Sequence, residues 1–194
     1  MKVAAFVGSP RPDGVTDAVV RQVLRGAEDT GADTTLFHIG LLHIMGCHAC
    51  MKCRKTGVCV LDDDMRPLFE ELRKADCIIL GTPIYFYYMT AQMKAFTDRL
   101  FSLIGEGFKS RLGRKKTVFV VTQGAEKPEL FINQIDSMKE AWGMAGLDII
   151  ETVQVCALES AEEVMEDEEL MRQAFLTGVD LCRLGIKVFP ASPK

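Results

Sequence analysis

The chain is 194 residues long, 48% hydrophobic and 26% charged, which is ordinary for one soluble globular domain with room for a full apolar core. Its net charge of -4 speaks against a nucleic-acid binder, and the densest basic run, "RLGRKK" at 111–116, reads as a solvated loop entering a strand. No apolar run approaches a membrane span and "MKVAAFVGSPRP" lacks a secretory pattern, so a cytoplasmic protein is expected, with its odd count of seven cysteines serving as thiols, metal ligands or redox centres rather than structural disulfides.

In chain order, "KVAAFVG" (2–8) reads as a first strand, followed by an amphipathic helix over 16–28 with Val19, Val20, Val23, Leu24 and Ala27 on one face. "TTLFHI" (34–39) is the second strand. A cysteine-rich loop at 46–60 precedes a helix over 64–74 that carries Leu68, Phe69 and Leu72; the acids at 62–64 read as its N-cap and dipole complement rather than a metal site. "CIILGT" (77–82), a helix over about 90–104, "TVFVVTQ" (117–123), a helix over 129–145, "DIIETVQVCAL" (148–158) and a long acidic-headed helix from 161 to about 187 complete the pattern. Strands apolar on both faces, alternating with helices, predict an α/β fold with a parallel sheet. Right-handed crossovers make it a doubly wound three-layer sandwich, five strands in the order 2-1-3-4-5, as one domain over 1–194.

Ligands of such folds bind outside the carboxyl ends of the strands, so three loops carry the functional signal. "GSPRPDGVT" (8–16) offers free backbone N–H groups, the hydroxyls of Ser9 and Thr16 and the charge of Arg11 at a helix start, a place suited to an anion. It lacks both the G-x-G-x-x-G and the lysine-bearing phosphate-loop patterns, which leaves a mononucleotide as the better fit. "GTPIYFYYMTAQMKAFTDR" (81–99) holds all three tyrosines behind the stiff Pro83, as a flat ring would require; an aromatic plug or a subunit contact is the other reading. "TQGAEKPE" (122–129) adds Thr122, Gln123 and Gly124.

The run C-x2-C-x2-C-x5-C at Cys47, Cys50, Cys53 and Cys59 supplies four thiolates, enough for a tetrahedral zinc site or an iron-sulfur cluster. Three cysteines at successive three-residue steps suit three corners of one cluster, with Cys59 as the fourth; bare redox thiols beside Lys52, Arg54 and Lys55 are the remaining alternative. His48 reads as a solvent-facing loop residue, His38 and His43 carry no assigned role, and Cys77, Cys156 and Cys182 read as core fillers.

Together, the first two loops resemble the NAD(P)H-dependent FMN reductase family of flavodoxin-like proteins, and the cysteine run resembles the motif of its iron-sulfur flavoprotein branch. The resemblance implies that Ser9, Arg11, Gly14 and Thr16 hold an FMN phosphate, with the backbone N–H of Val15 serving where many relatives carry Asn or Ser. It implies that Pro83, Ile84, Tyr85 and Phe86 line the isoalloxazine, that Thr122, Gln123 and Gly124 approach its other side, and that the four cysteines hold a 4Fe-4S cluster. NADH or NADPH, or a ferredoxin-type donor, would supply electrons for a small-molecule or protein acceptor, and a homodimer or homotetramer would form. A flavodoxin-like carrier and a cluster-free quinone or nitro-compound reductase stay open as alternatives.

Overall fold

The computed structural model describes residues 1–183. Strand β1 (Lys2–Val7) leads into α1 (Val15–Asp29) and β2 (Asp33–Phe37); the cysteine segment contains a one-turn helix, α2 (Lys52–Thr56), before α3 (Met65–Lys74). Then come β3 (Cys77–Tyr85), the short β4 (Tyr88–Met89), α4 (Ala91–Arg99), β5 (Lys115–Gln123), α5 (Ile132–Met144), β6 (Leu147–Cys156), α6 (Ala161–Glu166) and α7 (Glu168–Arg183). Five strands pair in parallel in the order β2-β1-β3-β5-β6, which is the expected 2-1-3-4-5 once β4 is set aside.

Two apolar cores flank the sheet because its central strands are apolar on both faces. On one side Val19, Val20 and Val23 of α1 pack with Ala174 and Leu181 of α7 against Ala5, Ile79 and Val120. On the other, Leu68 and Leu72 of α3, Phe96 of α4 and Trp142 of α5 cover Phe6, Leu80 and Phe119. Helices α1 and α7 cross at two glycines: a Cβ at Gly26 would overlap the carbonyl of Phe175, and one at Gly178 the carbonyl of Val23. Only a residue without a side chain permits that approach.

The structure differs from expectation in three local ways. β3 runs on through Pro83 to Tyr85 and turns back as β4 by a two-residue hairpin, pairing Tyr85 with Tyr88. That turn puts Phe86 and Tyr87 at positive φ, 44° and 72°, without the Asn-Gly signature that normally announces it. The helix expected over 90–104 tightens after Arg99 into a 3-10 turn, Leu100–Leu103. The long C-terminal helix breaks at Asp167, whose carboxylate accepts the N–H of Leu170 at 3.0 Å and so caps a new helix. Its expected end past Arg183 lies outside the described residues.

Candidate functional site

The carboxyl ends of β1, β3 and β5 open onto a cavity of about 290 Å³ that brings together Ser9, Arg11, Val15, Thr16, Pro83, Ile84, Tyr85, Thr122, Gln123 and Gly124. One wall is the start of α1, where Gly14 is extended and supplies no side-chain cap to the leading N–H groups. Ser9 Oγ accepts the N–H of Arg11 at 3.2 Å, a turn that leaves Arg11 exposed at the mouth. Gly40 backs the turn so closely that a Cβ there would overlap the Ser9 carbonyl. The buried hydroxyls of Thr16 and Thr122 meet at 2.8 Å across the base, and Thr90 Oγ1 donates to the Gly8 carbonyl at 2.6 Å, tying the end of β1 to the start of α4.

Gln123 turns its amide away from the opening, with Nε2 donating to the carbonyls of Ala125 and Lys127 at 3.2 and 2.9 Å. It thereby shapes the third loop, where Gly124 has open space on the side a Cβ would occupy. Pro83, Ile84 and Tyr85, the last residues of β3, form the opposing apolar wall. Phe86 is not part of it: at the hairpin tip its side chain is wholly exposed, while Tyr87 packs edge-on against Phe131 with ring centroids 5.3 Å apart. Leu158 and Glu159 line the cavity without having been anticipated. They follow β6, whose end reaches the same rim because Ala157 N–H bonds to the Gln123 carbonyl at 3.0 Å.

The second cluster lies between β2 and α3. Cys47, Cys50, Cys53 and Cys59 surround one small cavity of about 20 Å³, with Phe101 against it. Met51 and Gly57, both left-handed at φ 58° and 73°, bend the chain at the two ends of α2, so that Cys59 returns beside Cys53. Cys47 and Cys50 are exposed, Cys53 is buried and Cys59 half-buried; His48 is exposed. Among the described residues no three His, Cys, Asp or Glu side chains converge as ligands of a single ion.

Three arginines set the shape of this segment. Arg54 does not sit among the sulfurs as a charge neighbour: it donates to the carbonyls of Ile104 and Gly105 at 3.4 and 3.2 Å and lies 5.5 Å from the Phe101 ring centroid. Arg111 donates to the carbonyls of Cys53, Ser102 and Arg54 at 3.2, 2.8 and 2.9 Å. Arg99, buried at the end of α4, binds Asp63 through two N–H groups at 2.6 and 3.1 Å and the Met45 carbonyl at 2.9 Å. Asp63 in turn accepts the N–H groups of Met45 and Met65 at 2.9 and 3.1 Å. The acids before α3 thus do more than cap it, since this ion pair closes the base of the cysteine loop.

A family model described as NADPH-dependent FMN reductase matches residues 1–140, a span that includes all three rim loops and the cysteine run. The chain belongs to the NADPH-dependent FMN reductase family. Within it, this FMN reductase homologue is 34% identical over 136 residues to an iron-sulfur flavoprotein of Methanocaldococcus jannaschii, covering 70% of this chain and 69% of that protein. It is 33% identical over 145 residues to an iron-sulfur flavoprotein of Archaeoglobus fulgidus, covering 74% of this chain and 64% of the relative. The chain therefore falls in the iron-sulfur flavoprotein branch, spanning 64% to 69% of the length of these relatives. A flavone reductase structure superimposes with a TM-score of 0.73 at 19% identity, over 96% of this chain and 64% of that one, and shows the shared flavodoxin-like fold.

The residues of this family member fit the groups the family implies. An uncapped helix start with an arginine at the mouth suits a phosphate, and the apolar end of β3 suits a flat ring. Around the second cavity, burial pushes the Cys53 thiol up, and the neighbouring Cys59, Cys47 and Cys50 push it further in the same direction. Four thiols around one cavity are a donor set that suits either a zinc ion or an iron-sulfur cluster.

Of the other cysteines, Cys77 and Cys182 are buried in the core, whereas Cys156 is only half-buried and outside it; burial, then the proximity of Cys182, pushes Cys77 up to about 11, and burial with Glu129 raises Cys156. Asp17 lies outside the cavity lining. Buried in the first turn of α1, it accepts from Arg21 Nε at 2.7 Å and lies 3.5 Å from His38 Nε2. Among the described residues no helix is long and apolar enough to cross a membrane.

Proposed function

We propose that this protein is an FMN-dependent oxidoreductase that takes electrons from NADH, NADPH or a ferredoxin-type donor and passes them through a four-iron cluster on Cys47, Cys50, Cys53 and Cys59. The observation that carries the reading is the rim cavity, which joins an uncapped helix N-terminus and Arg11 at one end to the wall of Pro83, Ile84 and Tyr85 at the other. When bound, FMN supplies the conversion between two-electron and one-electron chemistry. The protein binds and orients. The N–H groups at the start of α1, with Ser9, Thr16 and Arg11, would hold the phosphate, and Pro83, Ile84 and Tyr85 at the end of β3 with Thr122, Gln123 and Gly124 would hold the ring. Hydride transfer to a flavin requires no acid-base pair.

The cysteine loop deepens the reading. Exposed Lys52 and Lys55 are interleaved with the cysteines and would offset the negative charge that four thiolates bring. We also expect a reducing cytoplasmic location and a homodimer or homotetramer, motivated by the exposed Phe86 and Tyr87 beside the exposed Leu130 and Ile132. Sedimentation of the purified protein as a monomer at all concentrations would contradict the oligomer.

The deciding experiment is an absorbance spectrum with metal analysis on anaerobically purified protein, followed by addition of each nicotinamide. The expected result is flavin bands over a broad iron-sulfur shoulder, about four iron and four sulfide per chain, and bleaching of the flavin. Flavin without iron leaves a cluster-free reductase, and bleaching only by a reduced ferredoxin makes the protein a carrier. Absence of flavin overturns the assignment.

A further inference from the structure

The deepest polar group near the cysteines is one the flavin chemistry does not use. Arg99 is 1% exposed, and its side chain is shut off from solvent between α4 and the base of the cysteine loop. Its two terminal nitrogens are committed to Asp63 and Met45. Nε–H is buried with no partner in full hydrogen-bond geometry, a costly state for a charged donor. Cys59 also interacts with the guanidinium: burial by itself lowers the arginine, but Asp63 and Cys59 outweigh it and hold it above its ordinary value.

Resting on the cluster reading above, we propose that Arg99 is the positioning and tuning residue of the cysteine site: clamped by Asp63, it reserves a guanidinium donor for the Cys59 sulfur and raises the reduction potential of the cluster held there. The physical basis is that a cluster gains one negative charge on reduction, so a fixed buried cation and a hydrogen bond to a ligand sulfur favour the reduced form. Asp63 has two effects on the same site. It holds the guanidinium in place, and its own negative charge partly cancels the arginine's, so the two residues pull the potential in opposite directions. The clasp also joins Met45, two residues before Cys47, to Asp63, four residues after Cys59, so the donor is registered to both ends of the loop.

The test uses the full chain, purified anaerobically or reconstituted with iron and sulfide, as wild type, Arg99→Lys, Arg99→Gln and Asp63→Asn. Iron and sulfide per chain, thermal melting, and the midpoint from a dithionite titration followed by electron paramagnetic resonance are read for each. Arg99→Lys keeps a buried positive charge but loses the planar fork. It should load iron as wild type does and shift the one-electron equilibrium about tenfold or more toward the oxidised form, a midpoint lower by about 59 mV or more. Arg99→Gln should lower it further, and Asp63→Asn should raise it. A purely structural clasp would instead reduce iron loading in the variants and leave the midpoint of the loaded fraction unchanged, which overturns the proposal. Arg99→Lys with a wild-type midpoint overturns it as well, even where the other two variants do not fold. A wild type that binds flavin but no iron overturns it by removing the cluster reading, an outcome visible before any variant is made.

Discussion

The rim cavity and the cysteine loop are both made of connecting segments, yet they are shaped by different means. The rim is fixed from within: short loops leave adjacent parallel strands, and hydroxyls of Thr16, Thr90 and Thr122 knit them together at 2.6 to 2.8 Å. The cysteine loop has no strand to hang from and is held from outside by Arg99 and Arg111, which lie 40 or more positions further along the chain. A site built on a sheet edge inherits its geometry from the fold, whereas a long loop must recruit buried charges to acquire one.

The largest effect expected from breaking this contrast is at the clasp. Arg99→Ala leaves Asp63 buried and unpaired, and should destabilise the protein by about 3–5 kcal/mol, seen as a lowered melting temperature with the cysteine loop opening first in hydrogen exchange. Gly40→Val comes next. Its side chain must displace the Ser9 carbonyl, at a cost of about 1–3 kcal/mol, and it should weaken FMN binding while leaving iron content at the wild-type level. Arg11→Gln should weaken FMN by about five- to tenfold but leave riboflavin, which lacks the phosphate, unchanged; equal losses for both ligands would place Arg11 elsewhere.

The pH dependence sharpens the comparison further. Burial by itself raises Asp63, but hydrogen bonds from Arg99 and Met45 and the guanidinium charge outweigh it and hold the carboxyl below its ordinary range. A depressed folded value means stability that is present above the unfolded value of about 4 and is lost as pH falls through the folded one. Acid melting should therefore steepen below about pH 4, and Asp63→Asn should flatten that part of the curve. The smallest effect is at Phe86, held at φ 44° with its side chain in solvent. Phe86→Gly should relieve backbone strain and stabilise by at most about 1 kcal/mol, with FMN affinity unchanged by fluorescence titration.

The same contrast explains what was legible in the sequence. The sheet order and most of the cavity lining could be read, because apolar runs fix strands and the fold then dictates which loops share an edge. Gly14 and Phe86 are the expected flavin contacts that the cavity lining does not include; one sits at the helix cap beside it and the other on a hairpin whose turn residues gave no local signal. Leu158 and Glu159 were passed over because only the loops after three strands were weighed. Arg99 and Asp63 were invisible for a different reason. "TDRL" and "DDDM" look like exposed helix ends, and only tertiary packing turns one acid and one arginine inward to meet across 36 positions.

Diffraction from crystals of this protein soaked with FMN tests the central claim most directly. The account predicts density in the rim cavity, its phosphate on the leading N–H groups of α1 beside Arg11 and its ring along Pro83 to Tyr85. An empty cavity, or flavin bound at a different surface, would contradict it.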